Sequence, residues 1–232
     1  MPEFAVIIAA AGAGSRFGGT VPKQHQPLAG ATVLERSVGC FAGQPGIAAV
    51  HVAAAPGDAR AEESVARLQA SMSVPLLLHP CGAAGRGQTV LNACELLAAG
   101  PAAPEWVLVH DAARPCLHPA DLARLLAAVA EHGEPALLGA PMLDTVKRVE
   151  DGAVAATLDR AALCRAQTPQ AAPLPELLAA LRAHPEATDE AQALERAGGR
   201  PRLVLAAHPN PKITAPADLA VAAALIAAGT GV

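Results

Sequence analysis

Apolar positions along this chain fall into short runs rich in Val, Ile and Leu that alternate with longer Ala/Leu segments of helical period. Residues 4–10, 47–54, 76–79, 106–110 and 135–139 predict strands, and residues 32–41, 58–69, 87–98 and 119–131 predict helices. A strand–helix–strand order of this kind argues for a parallel sheet covered by helices on both faces. Residues 141–160 break the rhythm. The alternation in Thr145, Val146, Lys147, Arg148 and Val149, the Asp151-Gly152 turn and the run at 154–158 predict an inserted hairpin, an arm outside the main sheet. Helical pattern resumes at 173–183 and 188–197, followed by a strand at 202–207 and a closing helix from Pro216.

The reading is therefore α/β, a Rossmann-like, mostly parallel sheet with helices on both faces and an inserted β-hairpin arm. At 232 residues the chain is expected to form a single domain spanning 1–232, with 141–160 protruding from it. Composition adds exclusions. With 52% apolar and 16% charged residues it is neither a disordered tail nor a fibre, and 58 alanines account for its positive mean hydropathy. A net charge of -4, with Phe4, Phe17, Phe41 and Trp106 as its whole aromatic content, leaves no basic field and no stacking platform for nucleic acid. No uncharged apolar run approaches the roughly 18 residues of a membrane span, so no membrane partner is expected. Glu3 precedes the first apolar run and no Lys or Arg does, so that run reads as a strand and not as a secretory signal. Cys40, Cys81, Cys94, Cys116 and Cys164 form no metal-ligand spacing, and a reduced, cytoplasmic protein without structural zinc is expected. The eight histidines also lack the H-x-x-x-H spacing of a zinc site.

The first strand runs into Ala10-Ala11-Gly12-Ala13-Gly14-Ser15-Arg16-Phe17-Gly18-Gly19, a place where backbone amides can cradle phosphates. The dinucleotide fingerprint fails at Phe17, and a Walker A loop fails because no lysine precedes Thr20. What remains is a glycine-rich turn carrying Arg16, with Pro22-Lys23 close behind; taken alone it reads equally as a nucleotide loop or as a solvated surface turn. Lysine usage adds weight to the first reading. Of 17 basic residues only Lys23, Lys147 and Lys212 are lysines, each in a polar stretch outside the predicted helices. Lysine is a compact, mobile point charge that can follow a phosphoryl group, whereas the arginine fork is geometrically fixed.

The string Ala10-Ala11-Gly12-x-Gly14-x-Arg16-x(5)-Pro22-Lys23-Gln24 closely resembles the signature loop of nucleotidylyltransferases. Later motifs narrow this. His110-Asp111-Ala112-Ala113-Arg114-Pro115, Asp144-Thr145-Val146-Lys147, Gln167-Thr168-Pro169-Gln170, Thr188-Asp189-Glu190-Ala191 and Asn210-x-Lys212-Ile213-Thr214 together resemble the 2-C-methyl-D-erythritol 4-phosphate cytidylyltransferase family over residues 6–224. That family serves the non-mevalonate isoprenoid pathway, and the length leaves no room for the fused cyclodiphosphate synthase of bifunctional relatives. The chain departs from the family at three places. Gly85-Arg86-Gly87-Gln88-Thr89-Val90 stands where Glu-Arg-x-x-Ser-Val is usual, His25 replaces an aromatic residue, and Pro211 replaces an aliphatic one.

The resemblance implies an enzyme that transfers CMP from CTP to methylerythritol phosphate with release of pyrophosphate. Arg16, Lys23, Arg160 and Lys212 are the implied catalytic cations. Ala10, Ala11, Gly12, Gly14, Gly82, Arg86, Thr89, Asp111 and Ala112 join Arg16 and Lys23 around CTP. Asp111, Arg114, Thr145, Arg160, Thr168, Thr188 and Lys212 are implied for the second substrate. Asp111 is the implied ligand of Mg²⁺, or of another divalent cation in its place. The resemblance also implies a homodimer through the arm, with Thr145 and Arg160 reaching the partner's body. Two other functions stay open: a cytidylyltransferase for ribitol 5-phosphate or another sugar phosphate, and a nucleotide-binding module without activity, against which Arg16, Lys23, Asp111 and Lys212 argue.

Overall fold

The computed structural model describes residues 2–12, 17–18 and 20–229. Strand β1 (Phe4–Ala9) leads through the glycine-rich loop and a 3₁₀ turn (Lys23–His25) into a small ribbon of β2 (Pro27–Leu28) and β3 (Ala31–Thr32). Then come α1 (Val33–Gly39), β4 (Ile47–Ala53), α2 (Ala59–Gln69), β5 (Leu76–His79), α3 (Arg86–Ala99), β6 (Trp106–Asp111), α4 (Pro119–His132) and β7 (Ala136–Pro141). The arm is β8 (Val146–Glu150) and β9 (Ala153–Leu158); β10 (Cys164–Pro173), α5 (Leu174–Ala183), α6 (Glu190–Arg196), β11 (Arg202–Leu205) and α7 (Ala217–Ala227) follow.

The sheet has seven strands in the order β11-β7-β10-β6-β1-β4-β5. Pairing is parallel except along β10, which runs antiparallel to both β6 and β7. Side chains of β1 alternate between faces: Phe4, Val6 and Ile8 join a core with Leu34, Val65 and Leu125, while Ala5 and Ile7 join one with Val90, Leu177 and Leu194. Thus α1, α2 and α4 cover one face and α3, α5 and α6 the other. A third cluster packs α7 through Ala222 against Phe17, Leu28 and Ile213, backing the loop after β1.

Helix ends follow local chemistry. Thr32 caps α1 in a reciprocal capping box with Glu35, and Gly133 closes α4 in the left-handed conformation. The strand β10 is the element that periodicity did not reveal. Its polar Gln167-Thr168-Pro169-Gln170 segment lies buried in mid-sheet, where the pairing with β7 is interrupted between Ala166 and Gln170. The predicted arm is present as a separate two-stranded sheet, and most of its side chains are exposed.

Candidate active site

Two cavities open beyond the carboxyl ends of β1 and β6, the edge where parallel α/β sheets place their ligands. The larger, about 340 Å³, has a floor of Ala9, Ala10, Ala11 and Gly12; Lys23 and Gln24 stand on one side and Ala83, Ala84, Gly85 and Thr89 on the other. The smaller, about 150 Å³, is bounded by Arg114, Gln167, Thr168, Gln170, Thr188 and Asp189. Arg86, Asp111 and Lys212 belong to the walls of both.

Arg86 and Lys212 are both bonded to Asp111. Asp111, at the end of β6 and 5% exposed, accepts from Arg86 Nε on Oδ1 and from Lys212 Nζ on Oδ2, each at 2.7 Å, with Arg114 Nε 3.5 Å from Oδ2. Burial alone would push the Asp111 carboxyl up; Arg86, Lys212 and Arg114 outweigh it and hold the group well below the usual carboxylate range. Arg86, the first residue of α3, donates its terminal nitrogens to Glu190 at 2.7 and 3.0 Å. Against the opposing effect of burial, Glu190 and Asp111 raise its pKa further above the ordinary arginine value. Burial also lowers His110, to about 4, so its ring is neutral near pH 7 and bonds Arg114 O at 3.0 Å and Thr168 Oγ1 at 3.1 Å.

Backbone bonds fix the surrounding loops. Thr168 Oγ1 accepts from Asp111 N at 3.1 Å, Asn210 Nδ2 donates to Thr168 O at 2.9 Å, and Arg114 Nη1 donates to Asn210 O at 2.7 Å. On the other side Lys23 Nζ donates to Ile213 O at 2.9 Å, and Gln24 Nε2 to Ala10 O at 2.9 Å. The segment from Asn210 to Thr214 therefore links both cavities to the glycine-rich loop.

The profile of the IspD family, 2-C-methyl-D-erythritol 4-phosphate cytidylyltransferase, matches residues 4–228. A protein of that name from Acidithiobacillus ferrooxidans is 44% identical over 228 residues, covering 96% of each chain, and one from Azoarcus sp. is 39% identical over 232 residues, covering 100% of this chain and 97% of its own. A crystal structure of 4-diphosphocytidyl-2C-methyl-D-erythritol synthase superposes with a TM-score of 0.81 at 35% identity over 97% of this chain and 99% of that one. The Francisella tularensis 2-C-methyl-D-erythritol 4-phosphate cytidylyltransferase superposes at 0.74, with 30% identity over 96% and 98%. The chain belongs to the 2-C-methyl-D-erythritol 4-phosphate cytidylyltransferase family.

Of the residues that family resemblance singled out, Ala10, Ala11, Gly12, Lys23, Arg86, Thr89, Asp111 and Ala112 meet around the larger cavity, and Arg114, Thr168 and Thr188 around the smaller. Gly14 and Arg16 lie outside the described residues. Gly82 stands behind the cavity wall, its amide donating to Ala54 O at 2.8 Å, and a Cβ there would fall 2.3 Å from that of Ala11. Thr89 Oγ1 is turned onto the wall, where it bonds Gly85 O and Ala83 N at 3.0 Å each. Thr145 and Arg160 are exposed and line neither cavity of their own chain; Arg160 donates to Leu143 O at the arm base. Lys147 bonds Thr157 and Arg148 pairs with Glu150, both within the arm.

Sequence reasoning passed over Glu190, Asn210 and Gln170, all buried. Each lies inside a motif already noted for a neighbour. A carboxylate on the first turn of a helix reads as an ordinary dipole partner, and only the contact with Arg86, 104 positions away, shows otherwise.

Proposed function

We propose that the two cavities are the two substrate sites of cytidylyl transfer, the triphosphate of CTP occupying the larger and 2-C-methyl-D-erythritol 4-phosphate the smaller. The observation that carries this reading is the shared wall of Arg86, Asp111 and Lys212, which leaves both substrates in reach of the same charges. The reaction transfers CMP from CTP to the phosphate of methylerythritol phosphate and releases pyrophosphate, a step of the non-mevalonate isoprenoid pathway. A phosphate oxygen of the acceptor forms a bond to the α-phosphorus of CTP. The bond from that phosphorus to the bridging oxygen breaks, and its electron pair departs with pyrophosphate.

Both reactants are anions, so positioning and charge neutralisation are the protein's main contributions. With a net charge of -4 this must be supplied locally. Lys23 and, by family resemblance, Arg16 neutralise the triphosphate; Lys212 sits where acceptor phosphate and α-phosphoryl group meet. The larger cavity falls in the size range of small-molecule sites and the smaller below it. The missing wall is assigned to the arm of a second subunit, whose Thr145 and Arg160 would close the acceptor site in a two-fold homodimer. Exposed Leu143, Val149, Val154 and Leu163 give such an arm an apolar face to bury.

Asp111 is the residue that would hold Mg²⁺. The described residues contain no cluster of three His, Cys, Asp or Glu side chains suited to a metal, but Mg²⁺ commonly takes one or two carboxylates plus substrate phosphate oxygens and water. A single ionised carboxylate in the nucleotide cavity fits that requirement, and the ion supplies charge neutralisation on the phosphates when bound. Five free thiols suit a reducing, cytoplasmic setting, and no helix among the described residues is long and apolar enough to cross a membrane.

Pyrophosphate release with CTP, Mg²⁺ and a panel of polyol phosphates tests this reading. Turnover should require both CTP and methylerythritol phosphate. Equal turnover with ribitol 5-phosphate or with a purine nucleotide contradicts it.

A further inference from the structure

Glu190 is 2% exposed and lines neither cavity, yet it holds the guanidinium that separates them. Its two carboxylate oxygens take Nη1 and Nη2 of Arg86 at 2.7 and 3.0 Å, a bidentate pair, while Nε is taken by Asp111 at 2.7 Å. The guanidinium plane is thereby fixed from both ends. Glu190 is itself firmly placed. Asp189 beside it accepts from Gln192 N at 2.9 Å and from Gln170 Nε2 at 3.0 Å, and Gln170 Oε1 accepts from Ala191 N at 2.7 Å. The start of α6 is thus fastened to β10, in the wall of the smaller cavity.

The charge balance shows what this placement does. Arg86, Arg114 and Lys212 all bear on Asp111, and of these Arg86 alone is shared with Glu190. Without Glu190 three cations would compete for one carboxylate. Arg86 could then swing out of the plane that sets Asp111 Oδ1, leaving the carboxylate held by Lys212 and Arg114 through Oδ2 alone.

We propose that Glu190 is a positioning residue for the transfer, holding Arg86 in the wall between the cavities so that Asp111 keeps its orientation. The proposal rests on the reading of the cavities as substrate sites. It carries a kinetic signature that a merely structural ion pair lacks. Glu190 is a negative charge close to a triphosphate site, so neutralising it favours CTP binding while it harms the geometry of transfer. The loss belongs in kcat, with KM for CTP unchanged or lower.

The test is steady-state pyrophosphate release from CTP and methylerythritol phosphate, with thermal melts, for the wild type, Glu190→Gln, Glu190→Asp, Arg86→Met and the double variant Arg86→Met/Glu190→Gln. Glu190→Gln should lower kcat by roughly ten- to hundredfold without raising KM for CTP. Glu190→Asp, which keeps the charge but shortens the reach, should fall between it and the wild type, about threefold or more down in kcat. In the Arg86→Met background Glu190→Gln should cost less than about twofold, because Glu190 acts through Arg86. If Glu190→Gln melts below the assay temperature, the charge-conserving Glu190→Asp decides. Full kcat in whichever variant decides, a loss confined to a raised KM for CTP, or losses that multiply in the double variant overturn the proposal. A wild type that releases no pyrophosphate overturns the reading of the cavities; a wild type that turns over alongside any of those outcomes overturns the role of Glu190 alone.

Discussion

Lys212 Nζ donates to Asp111 Oδ2 at 2.7 Å, joining the segment before α7 to the carboxyl end of β6. The pair lies where the two cavities meet, so an ammonium and a carboxylate brought from distant parts of the chain stand at the boundary between the proposed substrates. Lys212 shares this carboxylate with Arg86 and Arg114. A phosphate bound in either cavity would offer Lys212 an alternative partner, while Arg86 and Arg114 keep Asp111 from being stranded.

Lys23 reaches the larger cavity from the 3₁₀ turn and is tied by its ammonium to Ile213 O. Replacing it by Ala removes one positive charge from the larger cavity and the tie to the Asn210–Thr214 segment. Turnover should fall by on the order of a hundredfold or more, the scale of losing one transition-state charge partner, while the far-UV circular dichroism spectrum stays unchanged. Near-normal turnover contradicts the assignment of the loop.

Gly82 packs where a methyl group would fall 2.3 Å from Ala11 Cβ and 2.7 Å from Ala54 O. Gly82→Ala must therefore displace Ala11 in the lining of the larger cavity. It should cost about 1–3 kcal/mol of stability, the usual scale of overpacking, and raise KM for CTP. Thermal melts and CTP titration check this, and an unshifted Tm with normal KM contradicts it.

Asp121, 1% exposed, accepts from the amides of Ala207 and His208 and so anchors the chain leading to Lys212. Burial raises its pKa, but those two amides together with His208 and Arg124 prevail and lower it from 3.8. A depressed folded-state pKa gives stability that is complete above the unfolded value and is lost as pH falls through the folded one. Asp121→Asn should cost about 2 kcal/mol at neutral pH. The Tm gap to the wild type should narrow as the pH falls below about 4. A gap that stays level or widens below about pH 4 contradicts the assignment.

Arg160 is exposed on its own chain, and Lys212 is in the cavity walls. If the acceptor site is completed across a two-fold axis, inactive Arg160→Ala and inactive Lys212→Ala subunits should regain activity on mixing and subunit exchange, because one site of the mixed dimer has both groups. Sedimentation should show a dimer at working concentration. An active monomer, or a demonstrated mixed dimer with no recovery, contradicts the arm's role.

Much of this was legible in the chain because the responsible patterns are local. The runs at β1, β4 and β6 are mostly apolar and rich in Val, Ile, Leu and Ala, which marks strands largely buried on both faces, and the Asp151-Gly152 turn marks the arm. The strand β10 was hidden because its central residues are polar and include a proline, and it is held in the sheet by the residues on either side of them, which pair with β7 and β6. Asp111 and Lys212 were legible through motif resemblance, whereas Glu190 shows its importance only across the α3–α6 contact. Thr89, expected at CTP, lines the larger cavity, but its hydroxyl is spent on the loop before α3.

The most direct measurement is a crystal structure of the protein with CTP, Mg²⁺ and methylerythritol phosphate bound, the Lys212→Ala variant being used to slow turnover. The account predicts triphosphate density in the larger cavity beside Lys23, acceptor phosphate in the smaller beside Thr168 and Thr188, and the metal on Asp111 between them. Triphosphate density in the smaller cavity, or both substrates bound away from Asp111, would contradict it.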